Sequence, residues 1–558
     1  MMGYEAMAAA LVAEGTEVIF GVLGGDNDNL VHRLVEMGVR YVPVRHEQGA
    51  VGMADGYSRA TGRPGIATVT LGPGLTNAAT PMTAAQLSGS QVLVLVGDKR
   101  PGDGYDDRFG NMMIEHHPLL AATIKNYLQL ASVGNLGRDI QECFRQLRLG
   151  AGPVALNTPW PVLDASQVPD DWAYVPSAQT LPHPSPTQPD GHALKRAADL
   201  LAESERPVLI GGTGALGPGA ADAIAGLAAR AGALLAATLP ARGLFAGEPF
   251  YVGVSGGFAL GAARDILGQA DLVIGFGASL NSHTLGGGRL YTGARVIRVE
   301  HDMRRAAAPG YRDDLVVHGD ARLTADALAQ ALPAQANPRW RTDEVRRAIE
   351  QIDGWRGVEF TEHPDCLDPR LVTKIANEVL PAERLVVIDI GQFMAVPAMH
   401  MDVSAAGDLV LPWRLGAIGQ GLPAAVGAAL GRPDRLTVLF VGDGGIMTTI
   451  AELETAARCG IPLLVLVIDD GGYGAERYAN VTAGRPSDLV DFENPDFAGI
   501  ATAMGLRAFS ARSAQELRDI LADIAPLDRP ALVRVIVDRD VYSTALFRLQ
   551  ANFRGREG

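Results

Sequence analysis

Apolar residues along this chain fall into short unbroken runs and do not alternate with polar ones. EVIFGV (17–22), RYVPV (40–44), GIATVT (65–70) and QVLVLVG (91–97) come first. PVLIGG (207–212), DLVIGFG (271–277) and RVIRVE (295–300) follow, then RLVVID (384–389), LTVLFVG (436–442) and PLLVLVID (462–469). A strand wetted on one face would alternate, so continuous runs predict strands covered on both faces, as in parallel sheets. Helix-type stretches such as AAQLSGS and IAELETAARCG separate the runs and complete βαβ units. The predicted fold class is α/β. Residues 166–191, rich in Pro, Ser and Asp, and the polar residues 333–368 read as linkers. They divide the chain into three doubly wound, parallel-sheet domains near 1–165, 190–332 and 367–545. A faint repeat relates 71–98 to 441–470: strand, Gly-x-Gly turn, helix, then an apolar strand ending at Asp. The first and third domains are therefore expected to share one fold.

Composition narrows the function. With 558 residues the chain exceeds what one hydrophobic core serves. It is 47% hydrophobic and 20% charged, as in soluble globular proteins. A net charge of −15 argues against a nucleic-acid partner or an anionic membrane surface. Cys143, Cys366 and Cys459 are too scattered for a zinc site or a disulfide framework, so a reducing, cytoplasmic setting is expected. The N-terminus MMGYEAMAAALVAEG lacks the basic flank of a signal peptide. No apolar stretch approaches the roughly 20 residues of a membrane helix.

Two of the apolar runs stop abruptly at acid and glycine: LFVGDGGI (439–446) and LVIDDGGY (466–473). Consecutive parallel strands joined by a helix end on the same sheet edge, the edge where open α/β sheets bind ligands. Asp443 and Asp470 are thus expected side by side there. Two hard oxygen ligands suit Mg²⁺, which takes its remaining ligands from phosphate and water. Gly442, Gly444 and Gly445 would let backbone approach a phosphate at a helix N-terminus. The pattern points to a magnesium-bridged diphosphate. Two Asp-capped strand-end turns are the plainer alternative.

GDG, a helix, then an apolar strand ending in paired acids and GGYG resembles the signature of thiamine-diphosphate enzymes. The resemblance is to the pyruvate decarboxylase and acetolactate synthase group. It implies Mg²⁺ held by Asp443, Asp470 and the Gly472 carbonyl, with Tyr473 beside them. That group commonly carries Asn-Asn or Asn-Asp where this chain has Asp469-Asp470. VRHEQGAVGMADGYSRATGRPG (44–65) resembles the group's N-terminal motif, which implies that Glu47 hydrogen-bonds N1′ of the cofactor pyrimidine and promotes formation of the C2 ylide. Without the motif, Glu47 reads equally as a first-turn helix acid. TLGPGLTN (70–77) resembles the loop packed on the pyrimidine, with Pro73 and Asn77. LGAIG (415–419) resembles the segment whose Ile418, beside Gly416, wedges between the cofactor rings. Gln392 in IDIGQ matches a diphosphate contact. The resemblance implies pyrimidine-binding, central Rossmann-like and diphosphate-binding domains, and sites completed by two chains of a homodimer or homotetramer.

On the substrate side, His116 and His117 in MIEHHPLL correspond to a catalytic His pair of the decarboxylases, and Glu476 to their catalytic Glu. A solvated helix start and a surface helix are the plainer readings. Asp26 lies near the substrate-side loop. In the central domain, Gly212, Gly214 and Gly217 fit G-x-G-x-x-G, but no ribose-binding acid follows. FAD or ADP there is possible in relatives and not favoured here. The expected function is thiamine-diphosphate- and Mg²⁺-dependent decarboxylation or carboligation of a pyruvate-type 2-oxo acid through an enamine. The alternatives are a lyase for a diketone or 2-hydroxyacyl-CoA, and a non-catalytic cofactor-binding scaffold.

Overall fold

A computed structural model describes residues 1–99, 112–180, 185–303, 313–333, 339–524, 527–543 and 545. Its strands form three sheets of six parallel strands each. In spatial order the first sheet is Arg40–Pro43, Val18–Gly21, Gly65–Val69, Val92–Asp98, Val154–Pro159 and Asn126–Gln129. The third is Leu409–Val410, Arg384–Ile388, Leu436–Gly442, Leu463–Asp469, Ala531–Ile536 and Arg507–Ala511. Numbered along the chain, both run 2-1-3-4-6-5, so the two outer sheets share one topology. The middle sheet, drawn from 207–318, runs 3-2-1-4-5-6, the dinucleotide-fold order.

Every apolar run picked out above forms a strand, within one or two residues. Eight strands are not among those runs: the interior Val154–Pro159, Leu234–Ala237 and Ala531–Ile536, and five others, Asn126–Gln129, Tyr251–Val254, Leu315–His318, Leu409–Val410 and Arg507–Ala511. These last five lie at sheet edges. An edge strand has one neighbour and partial cover, so its sequence need not be continuously apolar. Residues 333–368 hold more than a linker. The helix Asp343–Glu350, capped by the Thr342 hydroxyl on the Val345 N–H at 3.2 Å, packs Val345 and Ile349 onto the central core beside buried Trp340.

The first and third sheets share a core. Its centre is a helix pair, Glu47–Thr61 and Gly421–Gly431. Gly52 faces Pro423, Gly56 faces Ala424, Gly427 faces Met53 and Gly431 faces Thr61, so the helices run in the same direction. A Cβ on Gly56 or Gly427 would overlap a backbone carbonyl of the other helix. The glycines therefore set how closely the helices approach. Arg458 Nη2 donates to the Pro43 carbonyl at 2.6 Å and Arg40 Nη2 to the Cys459 carbonyl at 3.0 Å, closing the seam at one end.

Candidate active site

Functional side chains gather at the carboxyl ends of the strands in both outer sheets. In the first, Glu47 opens the helix that follows Arg40–Pro43, capped by His46 Nδ1 on the Gln48 N–H. Glu47 is buried, and its Oε2 accepts the Asn77 amide at 2.9 Å. Asn77 ends the short helix Pro73–Asn77, which Pro73 begins with its fixed φ. Gly72 ahead of it has φ +62 and packs against the Met112 carbonyl, a place without room for a side chain.

The histidine pair divides. His116 is buried, and its Nε2 accepts the Gly72 N–H at 3.3 Å. Nδ1 then carries the proton and faces Asn157 Oδ1 at 3.4 Å and Asp98 at 3.7 Å. With both ring nitrogens engaged, His116 anchors the Gly72–Asn77 turn. His117 is exposed and its ring is bonded to the Tyr127 hydroxyl and packed edge-on to that ring. The structure thus does not present the two as a pair of free acid–base groups. Asp26, after the strand Val18–Gly21, is buried against Gly97, accepts the Leu71 N–H at 2.8 Å and is raised in pKa chiefly by burial.

At the edge of the third sheet, Asp443 begins the helix Asp443–Thr449. Oδ1 accepts the Gly444 N–H at 2.8 Å and Oδ2 accepts the Gly472 N–H at 2.9 Å, which ties the two acid–glycine turns together. The two acids after the second run have separate jobs. Asp469 ends its strand, pairs with Arg534 and accepts the Asn494 amide at 2.7 Å. Asp470 lies within electrostatic reach of Asp443; burial, and then repulsion from Asp443 and Asp469, raises its pKa. Burial likewise raises Asp443. Gln392 packs beside Gly474 next to Asp470, and its amide donates to the Val541 carbonyl at 3.1 Å. The Tyr473 ring lies over Gly444 and meets Phe492 edge-on. Glu476 is exposed in the first turn of Gly474–Thr482.

Ile418 sits half-exposed in a loop between Gly416 and Gly419, each at φ +80. Trp413 braces the loop's start against Phe258 and His283 of the central domain. Its end is held by Asp389, a fully buried acid that accepts the Gly419 and Gly421 N–H groups at 2.8 and 3.2 Å. Sequence reasoning passed over Asp389, Asn494 and Arg534. Asp389 did carry a signal: like Asp443, it is an acid just beyond an apolar run. Asn494, which bonds both Asp443 and Asp469, lies in a polar loop with none.

Three profiles of one family match the chain: thiamine pyrophosphate enzyme, N-terminal TPP binding domain over 1–119, central domain over 194–328, and C-terminal TPP binding domain over 389–535. The acetolactate synthase isozyme 2 large subunit of Escherichia coli is 30% identical, over 96% of this chain and 96% of that protein. A probable 2-ketoarginine decarboxylase of Pseudomonas aeruginosa is 30% identical over 93% and 90%. The sulfoacetaldehyde acetyltransferase of Castellaniella defragrans is 27% identical over 96% and 91%. With two matched edges of this chemistry on sheets of one topology, the chain belongs to the thiamine pyrophosphate enzymes and is a thiamine-diphosphate-dependent enzyme.

Proposed function

We propose that this enzyme catalyses Mg²⁺-dependent, non-oxidative decarboxylation of a 2-oxo acid, with carboligation to a second carbonyl compound as its full reaction. The observation that carries the reading is the pairing of Glu47 and Asn77 at one sheet edge with the Asp443 and Asp470 turns at the corresponding edge of the other. When bound, thiamine diphosphate supplies the carbon centre that takes up the electron pair released with CO₂.

The chain's own groups fit that cofactor. Glu47 is a buried carboxyl positioned by one amide, suited to exchange a proton at a pyrimidine nitrogen. Asp443 is buried and Asp470 half-buried, burial and then crowding with neighbouring acids raise the pKa of both, and a dication would relieve that repulsion. Asp443, Asp470 and the Gly472 carbonyl would hold Mg²⁺. Gln392, Gly442, Gly444, Gly445 and Tyr473 would line the diphosphate. Ile418 and Gly416 would meet the rings from one side, Pro73 and Asn77 from the other. Asp469 is taken up by Arg534 and Asn494, so the extra acid of this chain need not enter the metal shell.

Glu476 is the proposed proton donor on the substrate side, with His116 confined to holding the Gly72 turn. Its exposure fits a site that a second copy of the chain covers. No helix among the described residues is long and apolar enough to cross a membrane, and the three cysteines are free, in keeping with a cytoplasmic enzyme. The likeness to acetolactate synthases supports pyruvate-type acids as the first substrates of this reading. Proton NMR of the protein with thiamine diphosphate, Mg²⁺ and pyruvate tests this. Acetaldehyde would identify a decarboxylase, and acetoin or acetolactate a ligase. Unchanged pyruvate, with larger 2-oxo acids equally untouched, would sink the reading.

A further inference from the structure

Glu452 begins the helix Glu452–Arg458 and is 1% exposed. Its carboxylate reaches out of the third sheet's layer to the start of the Glu47–Thr61 helix. Oε1 accepts the backbone N–H groups of Arg45 and His46, both at 3.1 Å. Oε2 accepts the Thr455 hydroxyl at 2.7 Å. Position 49 is glycine, and a Cβ there would collide with Glu452 Oε1. The amides around a helix start lack intrahelical partners and carry partial positive charge, so a buried carboxylate satisfies and orients them. The side chain of His46, the N-cap, is occupied by the Gln48 N–H and cannot do this. Glu47 is the residue that follows those two clamped amides.

We infer that Glu452 is a positioning residue for Glu47: it clamps the helix start from the opposite domain and thereby fixes where the Glu47 carboxyl meets the cofactor. The inference rests on the Glu47 role proposed above. A carboxylate that merely joined two domains would affect stability alone. A clamp on the helix start affects proton exchange by the bound cofactor as well.

The test uses the full chain carrying Glu452→Gln. The replacement keeps the shape but turns an N–H toward donors. Hydrogen–deuterium exchange of the cofactor-free protein should show amides of residues 44–50 exchanging at least about tenfold faster. With thiamine diphosphate and Mg²⁺ saturating, exchange of the cofactor's C2 proton should fall by about tenfold or more. Cofactor Kd should move less than about threefold, because the diphosphate ligands are untouched. Gly49→Ala, which displaces the carboxylate and keeps Glu452 itself, carries the same expectation should the first variant lose its fold. A loosened helix start with wild-type C2 exchange would overturn the inference, as would amides that stay protected. Glu47→Gln separates the two ideas. If it abolishes C2 exchange while Glu452→Gln does not, only the positioning role fails; if it leaves exchange intact, the Glu47 role itself is wrong.

Discussion

At the scale of single residues, the site is built from carboxyl groups whose surroundings differ. Glu47 has one amide partner, and the role proposed for it depends on gaining and losing a proton. Glu47→Gln is expected to lower turnover by about 10²–10⁴ while leaving thermal unfolding unchanged. Asp443 is the acid that ties both turns together, so Asp443→Ala should abolish the stabilisation of the folded protein by thiamine diphosphate plus Mg²⁺. In the unmodified enzyme that gain is about 3–4 kcal/mol at 100 to 1,000 times Kd. Equal melting shifts in the two proteins would remove Asp443 from the metal site. Asp389 is a different case. Burial pushes it up to about 6, against the pull of backbone N–H groups led by Gly419. A carboxyl raised in the folded state contributes its stability below its unfolded pKa and loses it as pH rises through the folded value. Stability should therefore fall by on the order of 3 kcal/mol between about pH 4 and 6 through this group. Urea unfolding of Asp389→Asn should show a flatter slope in that window, and parallel curves would count against the assignment.

At the scale of elements, the decisive contact is the helix pair beneath the two sheet edges. Gly56 and Gly427 allow the approach of two backbones, since the positions they face are carbonyl groups. Gly427→Ala should cost about 3 kcal/mol, the upper end of the overpacking range, because a carbonyl cannot rotate away as a side chain would. Gly226 is the contrast: it lies exposed in the helix Ala220–Ala231 with open space around it. Gly226→Ala should stabilise by about 0.5–1 kcal/mol through helix propensity alone. Thermal melts of the two variants should move in opposite directions.

For the whole molecule, the proposed chemistry belongs to the outer sheets, and the central one is read as its support. Gly212 and Gly214 pack directly on the backbone of Gly277 and Ala278, and the Gly214 N–H donates to the Gly277 carbonyl at 3.0 Å. The loops after the first and fourth strands of this sheet are thus closed on one another at the crevice where a dinucleotide would enter. The concentrated protein should show no flavin absorption bands; a yellow preparation would refute this. The proposed sharing of sites between two chains makes a separate prediction. Glu47→Gln and Asp443→Ala chains, each inactive, should regain about a quarter of full activity when unfolded and refolded together, since half the dimers are mixed and each mixed dimer has one intact site. No recovery would mean that both groups serve one site within a chain.

The sequence by itself determined the sheets and the edge where the chemistry sits. Parallel strands buried on both faces must be continuously apolar, and an acid and glycine at the end of such a run fall on the ligand-binding edge, as Asp443, Asp470 and the unremarked Asp389 do. Only the tertiary structure decided how adjacent residues divide their work. Asp469 pairs with Arg534 while Asp470 lies beside Gly474; His116 turns inward to Gly72 while His117 meets Tyr127. Neighbours in sequence point in different directions, to opposite faces of a strand and around the axis of a helix, and their partners come from elsewhere in the fold. The five unmarked edge strands, Asn494 and Glu452 were hidden for the same reason. Their roles are fixed by what lies across a sheet edge or a domain seam, and no local pattern records that.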